Sequence, residues 1–292
     1  MLGAILGDIA GSTYEFCPTN DYNFNMFANG SSFTDDTVCT VAIADAILRG
    51  KDYGETLHDW CRRYPNPKGG YGGSFRRWVE SNSPQPYGSF GNGSAMRVSP
   101  VAWAFSDVEQ AIAEAEKTAA CTHSHREGIK GAQAVVTAIN YCDRLRRSGE
   151  KINRESIART LKPVAERFGY NINIRKEDVQ NRFDETCQGT VPVALWIITE
   201  STDFEDAIRR AVSLGADADT LGAIVGSIAE ALWTVPTDLA LRAMDLLPTE
   251  MKRIVLRLYT RTTPEARAVF PLAGYGDEGA AQDLLLDEEN AR

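Results

Sequence analysis

Apolar residues recur along this chain at spacings of three and four rather than two, the pattern of helices that bury one face. Residues 37–49 (TVCTVAIADAILR) carry Val38, Val41, Ala44 and Leu48 in step. Residues 107–120 open at Asp107 behind Ser106 and run through Val108, Ala111, Ile112 and Ala115. Residues 126–147 keep Ile129, Ala132, Val135, Val136 and Ile139 in register and finish in Arg144, Arg146 and Arg147, basic residues that suit a helix C-terminus. Further helices are predicted over 153–167, 191–200, 203–214, 219–233 and 248–260. Two-residue alternation is scarce, and neither β-α units nor a fixed-period repeat is present. The expected fold class is therefore all-α, a single compact multi-helix domain.

Three polar stretches interrupt the pattern: 17–33 (CPTNDYNFNMFANGSSF), 64–74 (YPNPKGGYGGS) and 81–93 (SNSPQPYGSFGNG). Joining helices does not require loops this long and rich in glycine, so they are candidates for ligand-binding surfaces. A boundary is expected near residue 265, with 266–292 an acidic C-terminal extension that is mobile or docks loosely through Leu284, Leu285 and Leu286.

Charge narrows the partner. The net charge is −9, and −5 of it lies in residues 276–292, leaving −4 on the body. No basic stripe is present to track a phosphate backbone, which argues against general nucleic-acid binding. A small phosphate-bearing ligand stays open, because backbone N–H groups can hold one without net positive charge. Six cysteines (Cys17, Cys39, Cys61, Cys121, Cys142, Cys187) show no C-x-x-C spacing. With no leader-like N-terminus and no apolar run of bilayer length, they read as reduced thiols of a cytoplasmic protein. Oligomeric state is not legible.

Two segments concentrate carboxylates. Thr34-Asp35-Asp36-Thr37 directly precedes one apolar helix, and Asp217-Ala218-Asp219-Thr220 precedes another, LGAIVGSIAEALW. Taken alone, each reads as a helix cap, since Asp and Thr are preferred there. A cap needs one acceptor, however, and each segment offers two carboxylates and a hydroxyl. Asp217 and Asp219 do not share a helix face and are expected to straddle the loop-to-helix junction. Four carboxylates brought together would repel unless cations neutralised them, and hard oxygen ligands suit Mg²⁺, Mn²⁺ or Ca²⁺. Spacing does not establish that the two segments meet. The three histidines and the cysteines lack zinc spacing. Glu15, behind the small-residue stretch Gly3–Gly11, reads by pattern as a surface glutamate at a helix end. Gly91-Asn92-Gly93-Ser94-Ala95-Met96-Arg97 reads equally as a tight turn or as a backbone cradle for an anion. Thr122-His123-Ser124-His125 reads as a capping or core histidine pair.

Together, GAILGDIAGSTYE, FTDDT, YGGSF, GNGSAMR, THSH and GADADTLGAI, in this order over about residues 3–235, resemble the ADP-ribosylglycohydrolase family. The resemblance implies an all-α fold with two divalent cations, Mg²⁺ or Mn²⁺, at the base of a cleft. It implies that Thr34, Asp35 and Asp36 ligate one ion together with a bridging Asp219, and that Asp217 and Thr220 complete the second. Glu15 falls where the family places a mobile catalytic carboxylate. Gly91, Asn92, Gly93, Ser94 and Met96 fall in the turn that holds the diphosphate, and His123 falls where a histidine lines the ADP-ribose cleft. Ala216 departs from the usual glycine at its position. The implied activity is hydrolysis of the bond between ADP-ribose and an acceptor, foremost a protein side chain, with Glu15 or Asp36 taking a proton from water. The alternatives are a non-catalytic ADP-ribose-binding or structural relative, which would have lost the ligands, and a helical phosphohydrolase, for which His58-Asp59 lacks a matching partner.

Overall fold

The computed structural model describes residues 1–271. In chain order the helices are α1 (Leu2–Gly11), α2 (Asp35–Arg49), α3 (Tyr53–Arg63), α4 (Gly73–Glu80), α5 (Gly93–Met96), α6 (Ser99–Ala104), α7 (Val108–Ala120) and α8 (Arg126–Arg147). They continue with α9 (Arg154–Phe168), α10 (Lys176–Val179), α11 (Cys187–Glu200), α12 (Phe204–Val212), α13 (Ala218–Trp233), α14 (Thr237–Asp245), α15 (Thr249–Arg261) and α16 (Pro264–Val269). Among the described residues no strand forms, and two isolated bridges, Thr34 with Lys68 and Gly91 with Thr186, tie loops together.

Every residue of α1 is buried, and so is α13 from Ala218 to Leu232. These two helices make the centre, and small residues let them approach until backbone meets backbone. A Cβ at Gly7 would stand 2.0 Å from the carbonyl oxygen of Gly222, and one at Gly3 would stand 2.2 Å from that of Gly226. The pairing order, Gly3 with Gly226, Gly7 with Gly222 and Gly11 with Ala218, makes the helices antiparallel. The C-terminal end of α1 therefore lies beside the N-terminal end of α13. Around this pair pack α2, α8, α11, α12 and α14, and α3, α7, α9 and α15 form an outer layer.

Local signals set most boundaries. Asp107, Asn153, Thr186 and Asp203 each accept a backbone N–H of the following first turn. The prediction for 126–147 coincides with α8. The helix predicted from 191 starts one turn earlier, because Thr186 caps it at Gly189. The apolar period did not predict α3, which buries only Thr56, Leu57, Trp60 and Cys61, nor α4, which emerges from the glycine loop, nor α14, nor the short α10 and α16. Helix α16 crosses position 265, and Phe270 stacks on Tyr259 at 4.8 Å between ring centroids, so packing continues past the expected boundary. The acidic residues and leucines of the C-terminal extension lie outside the described residues. No helix among the described residues is long and apolar enough to cross a membrane.

Candidate functional site

The antiparallel pair decides which distant residues meet. Asp217 occupies the N-cap of α13 but makes no capping bond. Its carboxylate instead accepts from the Asn92 side-chain amide at 2.7 Å. Asp219 lies in the first turn of α13. Glu15 leaves the end of α1 toward the same spot, close enough for its carboxyl to hydrogen bond Asp219. At α2, Thr34 does cap the helix, accepting from the Asp36 amide at 3.2 Å. The hydroxyls of Thr220 and Thr34 both reach Asp36 Oδ2, at 3.3 and 3.5 Å. The two carboxylate segments thus meet, although 184 residues separate Asp36 from Thr220.

The cluster contains a carboxylate that pattern reading passed over. Asp8, wholly buried on α1, accepts at Oδ2 from the amides of Thr34 at 3.0 Å and Thr37 at 3.1 Å, and from the Thr37 hydroxyl. It pins the start of α2 to the central helix. Its sequence signal was a single acid in an otherwise apolar and small-residue helix, which is costly unless partnered.

Charge is the dominant property here. Burial, then the neighbouring Asp219, pushes the Asp8 carboxyl up to about 7. The same causes push Glu15 up to about 8 and raise Asp35 and Asp36 well above the usual carboxylate range. Asp217 is likewise raised, by burial and then by Asp219. Burial raises Asp219 itself, although its hydrogen bonds to Asp217 and Glu15 pull the other way. Oδ1 of Asp8, Asp36 and Asp219 are buried without a hydrogen-bond partner. Among the described residues, no three His, Cys, Asp or Glu side chains already close around one point as a metal-ligand set. The carboxyl groups crowd one another instead, and burial with mutual repulsion disfavours their charged forms. Orphaned carboxylate oxygens, mutual repulsion and flanking threonine hydroxyls fit hard divalent cations.

A cleft of about 420 Å³ opens above this floor, lined by Glu15, Asp35, Asp36, Asp217, Asp219 and Thr220. One wall is the loop Gly69–Gly73. Gly69 sits at φ +76°, in the left-handed region that favours glycine, and a Cβ there would displace the Glu15 carboxylate, whose Oε2 lies 2.6 Å away. The opposite wall holds Gly91, Asn92, Gly93, Met96 and His123. Ser94 turns away, donating to the Gly128 carbonyl at 2.7 Å, and Thr34 is buried beneath the floor. The expected apolar helix after the glycine turn is interrupted: α5 ends at Met96, and α6 starts at Ser99.

Arg97 was grouped with the anion cradle, but its guanidinium is turned inward. It donates to the Thr118 carbonyl at 3.0 Å and the Thr122 hydroxyl at 2.7 Å. That hydroxyl lies 2.7 Å from His123 Nδ1. Burial, then the Arg97 charge, pushes the His123 pKa well below the usual value, so the imidazole is neutral at pH 7. The Thr122 hydroxyl thus links Arg97 to Nδ1, and the other ring nitrogen, Nε2, faces Gly93. His125 caps α8 by accepting from the Glu127 amide at 3.1 Å.

These features define an all-helical domain built around one polar cleft with a floor of buried carboxylates and a wall of glycine backbone. The ADP-ribosylglycohydrolase family model matches residues 1–267, and the chain belongs to that family. It is similar to the ADP-ribosylarginine hydrolase Tri1 of Pseudomonas putida (strain GB-1), with 26% identity over 80% of this chain and 70% of the relative. It is similar to the ADP-ribosylhydrolase ARH3 of Mus musculus, with 23% identity over 80% and 82% of the two chains. A solved structure titled "ADP-ribosylglycohydrolase-related protein complex" covers 90% of this chain and 97% of its own at a TM-score of 0.66 and 24% identity, a likeness of fold.

Proposed function

We propose that this protein hydrolyses the glycosidic bond between ADP-ribose and a protein side chain, releasing ADP-ribose, with two divalent cations, Mg²⁺ or Mn²⁺, as cofactors. The observation that carries the proposal is the approach of Thr220 Oγ1 to Asp36 Oδ2 at 3.3 Å. It joins Thr34, Asp35 and Asp36 to Asp217, Asp219 and Thr220 beneath one cleft. These six residues would hold the ions, with Asp219 between them. Bound there, the cations would orient the ribose diol and a water and lower the water's pKa.

The chain's own groups do the rest. The backbone of Gly91–Gly93, with Met96 beside it, receives the diphosphate without adding positive charge. His123, neutral, presents Nε2 as one more hydrogen-bonding group on that wall. The Glu15 carboxylate takes the proton of the attacking water as the C1 bond to the acceptor breaks through an oxocarbenium-like state. Asp36 is the second candidate for that proton, but its Oδ2 already accepts from two threonines.

The test is release of free ADP-ribose from ADP-ribosylated arginine, serine and nucleic-acid substrates with Mg²⁺, Mn²⁺ or EDTA. Metal-dependent release from a protein-linked substrate is expected. Glu15→Ala is expected to lower kcat by about 10²- to 10⁴-fold with little change in KM. Full turnover in that variant removes Glu15 from the mechanism. Asp35→Asn and Asp219→Asn are expected to lose metal binding, and unchanged stoichiometry in either overturns the ligand assignment.

A further inference from the structure

Outside the cleft, a second cavity of about 170 Å³ is walled by the aliphatic side chains of Val179, Val193, Leu214, Ala216 and Leu221. Its lining shares one residue with that of the cleft, Asp217, so the two spaces meet at this carboxylate. Hydrogen bonds fix the turn on one side of it. Asn181 N donates to the Leu214 carbonyl at 2.9 Å, and Arg182 N donates to that of Val179 at 3.2 Å. On the other side stands Thr190, whose hydroxyl donates to the Asp184 carbonyl at 2.9 Å. The same hydroxyl accepts from the Asn92 side-chain amide at 3.1 Å, and that amide also holds Asp217. The cavity is thus set by bonded backbone, and one hydrogen-bonded chain runs from its wall to the floor of the cleft.

Charge at its edge is unevenly spent. Arg175 binds both oxygens of Asp178, each at 2.8 Å. Asp184 Oδ1 accepts from the Thr186 amide at 2.8 Å and from the Thr186 hydroxyl at 2.7 Å. Arg182 is exposed and makes no hydrogen bond or ion pair among the described residues. Its charge acts on Asp178, but Arg175 already holds that carboxylate. An apolar interior with one uncommitted guanidinium at its edge is the make-up of a small-ligand site, in which a few polar groups orient an apolar body.

We propose that this cavity is a second ligand site, taking a small monocarboxylate with its carboxylate on Arg182 and its apolar body against Val193, Leu214 and Leu221. An apolar cavity of roughly 150 Å³ takes up benzene, so the size here suits a ring or branched chain of about six heavy atoms. A guanidinium donates two parallel N–H bonds to a carboxylate. The Asp184 carboxylate at the same edge, with no cation paired to it, disfavours a dianion such as a phosphomonoester. An occupant would close the space behind Asp217 and keep its carboxylate at the cleft. That coupling rests on the cation assignment proposed above, whereas binding in the cavity does not.

The test uses benzoate, benzyl alcohol and benzylamine, which share a ring and differ in charge. Binding is measured by calorimetry in EDTA on wild type, Arg182→Gln and Val193→Phe, with melting curves to show that each variant folds. Wild type is expected to bind benzoate with a Kd on the order of 1 mM, the scale for so small a ligand, and about 3- to 10-fold tighter than the other two. Arg182→Gln should remove that preference and leave benzyl alcohol within about twofold. Val193→Phe, which fills the cavity, should abolish binding of all three. In the absence of EDTA, benzoate should tighten Mn²⁺ binding by about 5-fold, and Mn²⁺ should tighten benzoate binding by the same factor. Absence of benzoate binding, binding that neither substitution alters, or a preference for benzylamine overturns the site. Benzoate binding that both substitutions weaken, with an unmoved Mn²⁺ Kd, upholds the site and overturns the coupling through Asp217. The same benzoate binding in a protein that takes up no Mn²⁺ upholds the site and overturns the cation assignment instead.

Discussion

Asp8 is the side chain through which the central helix holds the carboxylate-bearing start of α2. Removing it strands the buried amides of Thr34 and Thr37, at a cost of about 1–3 kcal/mol each for an unpaired buried group. Asp8→Ala is therefore expected to lower the melting temperature. It should also weaken Mn²⁺ binding by roughly 10- to 100-fold, the usual consequence of losing a partner that orients ligands. Asp8→Asn keeps an acceptor for those amides and should recover most of the stability. Titration calorimetry with Mn²⁺ decides the matter: a folded Asp8→Ala protein with wild-type metal affinity would show that Thr34–Asp36 hold their geometry unaided. A second prediction at this scale concerns the Arg97–Thr122–His123 chain. Thr122→Val removes the hydroxyl between Arg97 and His123 Nδ1 while nearly keeping the volume. The ring then loses the bond that orients it, so ADP-ribose should bind about 3- to 10-fold more weakly, in keeping with one lost neutral hydrogen bond. An unaltered Kd would mean that His123 Nε2 does not serve the ligand.

At the scale of elements, the site depends on how closely α1 and α13 approach. Their spacing is set by glycine facing glycine, and no side-chain rearrangement can relieve a Cβ that meets a backbone carbonyl at 2.0 Å. Gly7→Ala is expected to cost about 3 kcal/mol, the upper end for overpacking, and to lower the melting temperature by roughly 6–12 °C for a domain of this size. Because the same contact aligns Glu15 with Asp217 and Asp219, turnover should fall more than stability does. Calorimetric melting alongside ADP-ribose release checks both. A melting temperature within a degree or two of wild type would mean that the helices can separate without loss.

At the scale of the whole molecule, the buried carboxylates make stability depend on pH and on cations together. Asp8, Glu15, Asp35, Asp36 and Asp217 all bind protons more tightly in the folded state than in an unfolded chain. For an acid whose folded pKa is raised, the unfolded state loses its proton first. Stability is then greatest below the ordinary carboxylate pKa, near 4, and declines as pH rises toward the raised values of about 7 for Asp8 and about 8 for Glu15. In EDTA the melting temperature should fall steadily from pH 5 to pH 8. Millimolar Mg²⁺ or Mn²⁺ should flatten that decline by binding the ionised cluster in the folded state alone. A pH-independent melting temperature in EDTA would contradict the clustering.

The sequence by itself determined the helical class, because a three-to-four apolar period is a local property, as the match of α8 to 126–147 illustrates. It also singled out Thr34–Asp36 and Asp217–Thr220, since two carboxylates in one first turn exceed what a cap needs. It was weaker where a helix is short, as in α3, α4 and α14, and where a residue's role depended on what it faced. Tertiary structure alone decided that Asp217 leaves its cap unused to meet Asn92, that Asp8 belongs to the site, and that Arg97 turns inward rather than toward the ligand. Each follows from long-range packing: α1 and α13 run antiparallel at glycine distance, and chain neighbours carry no record of which carboxylates that contact will bring together.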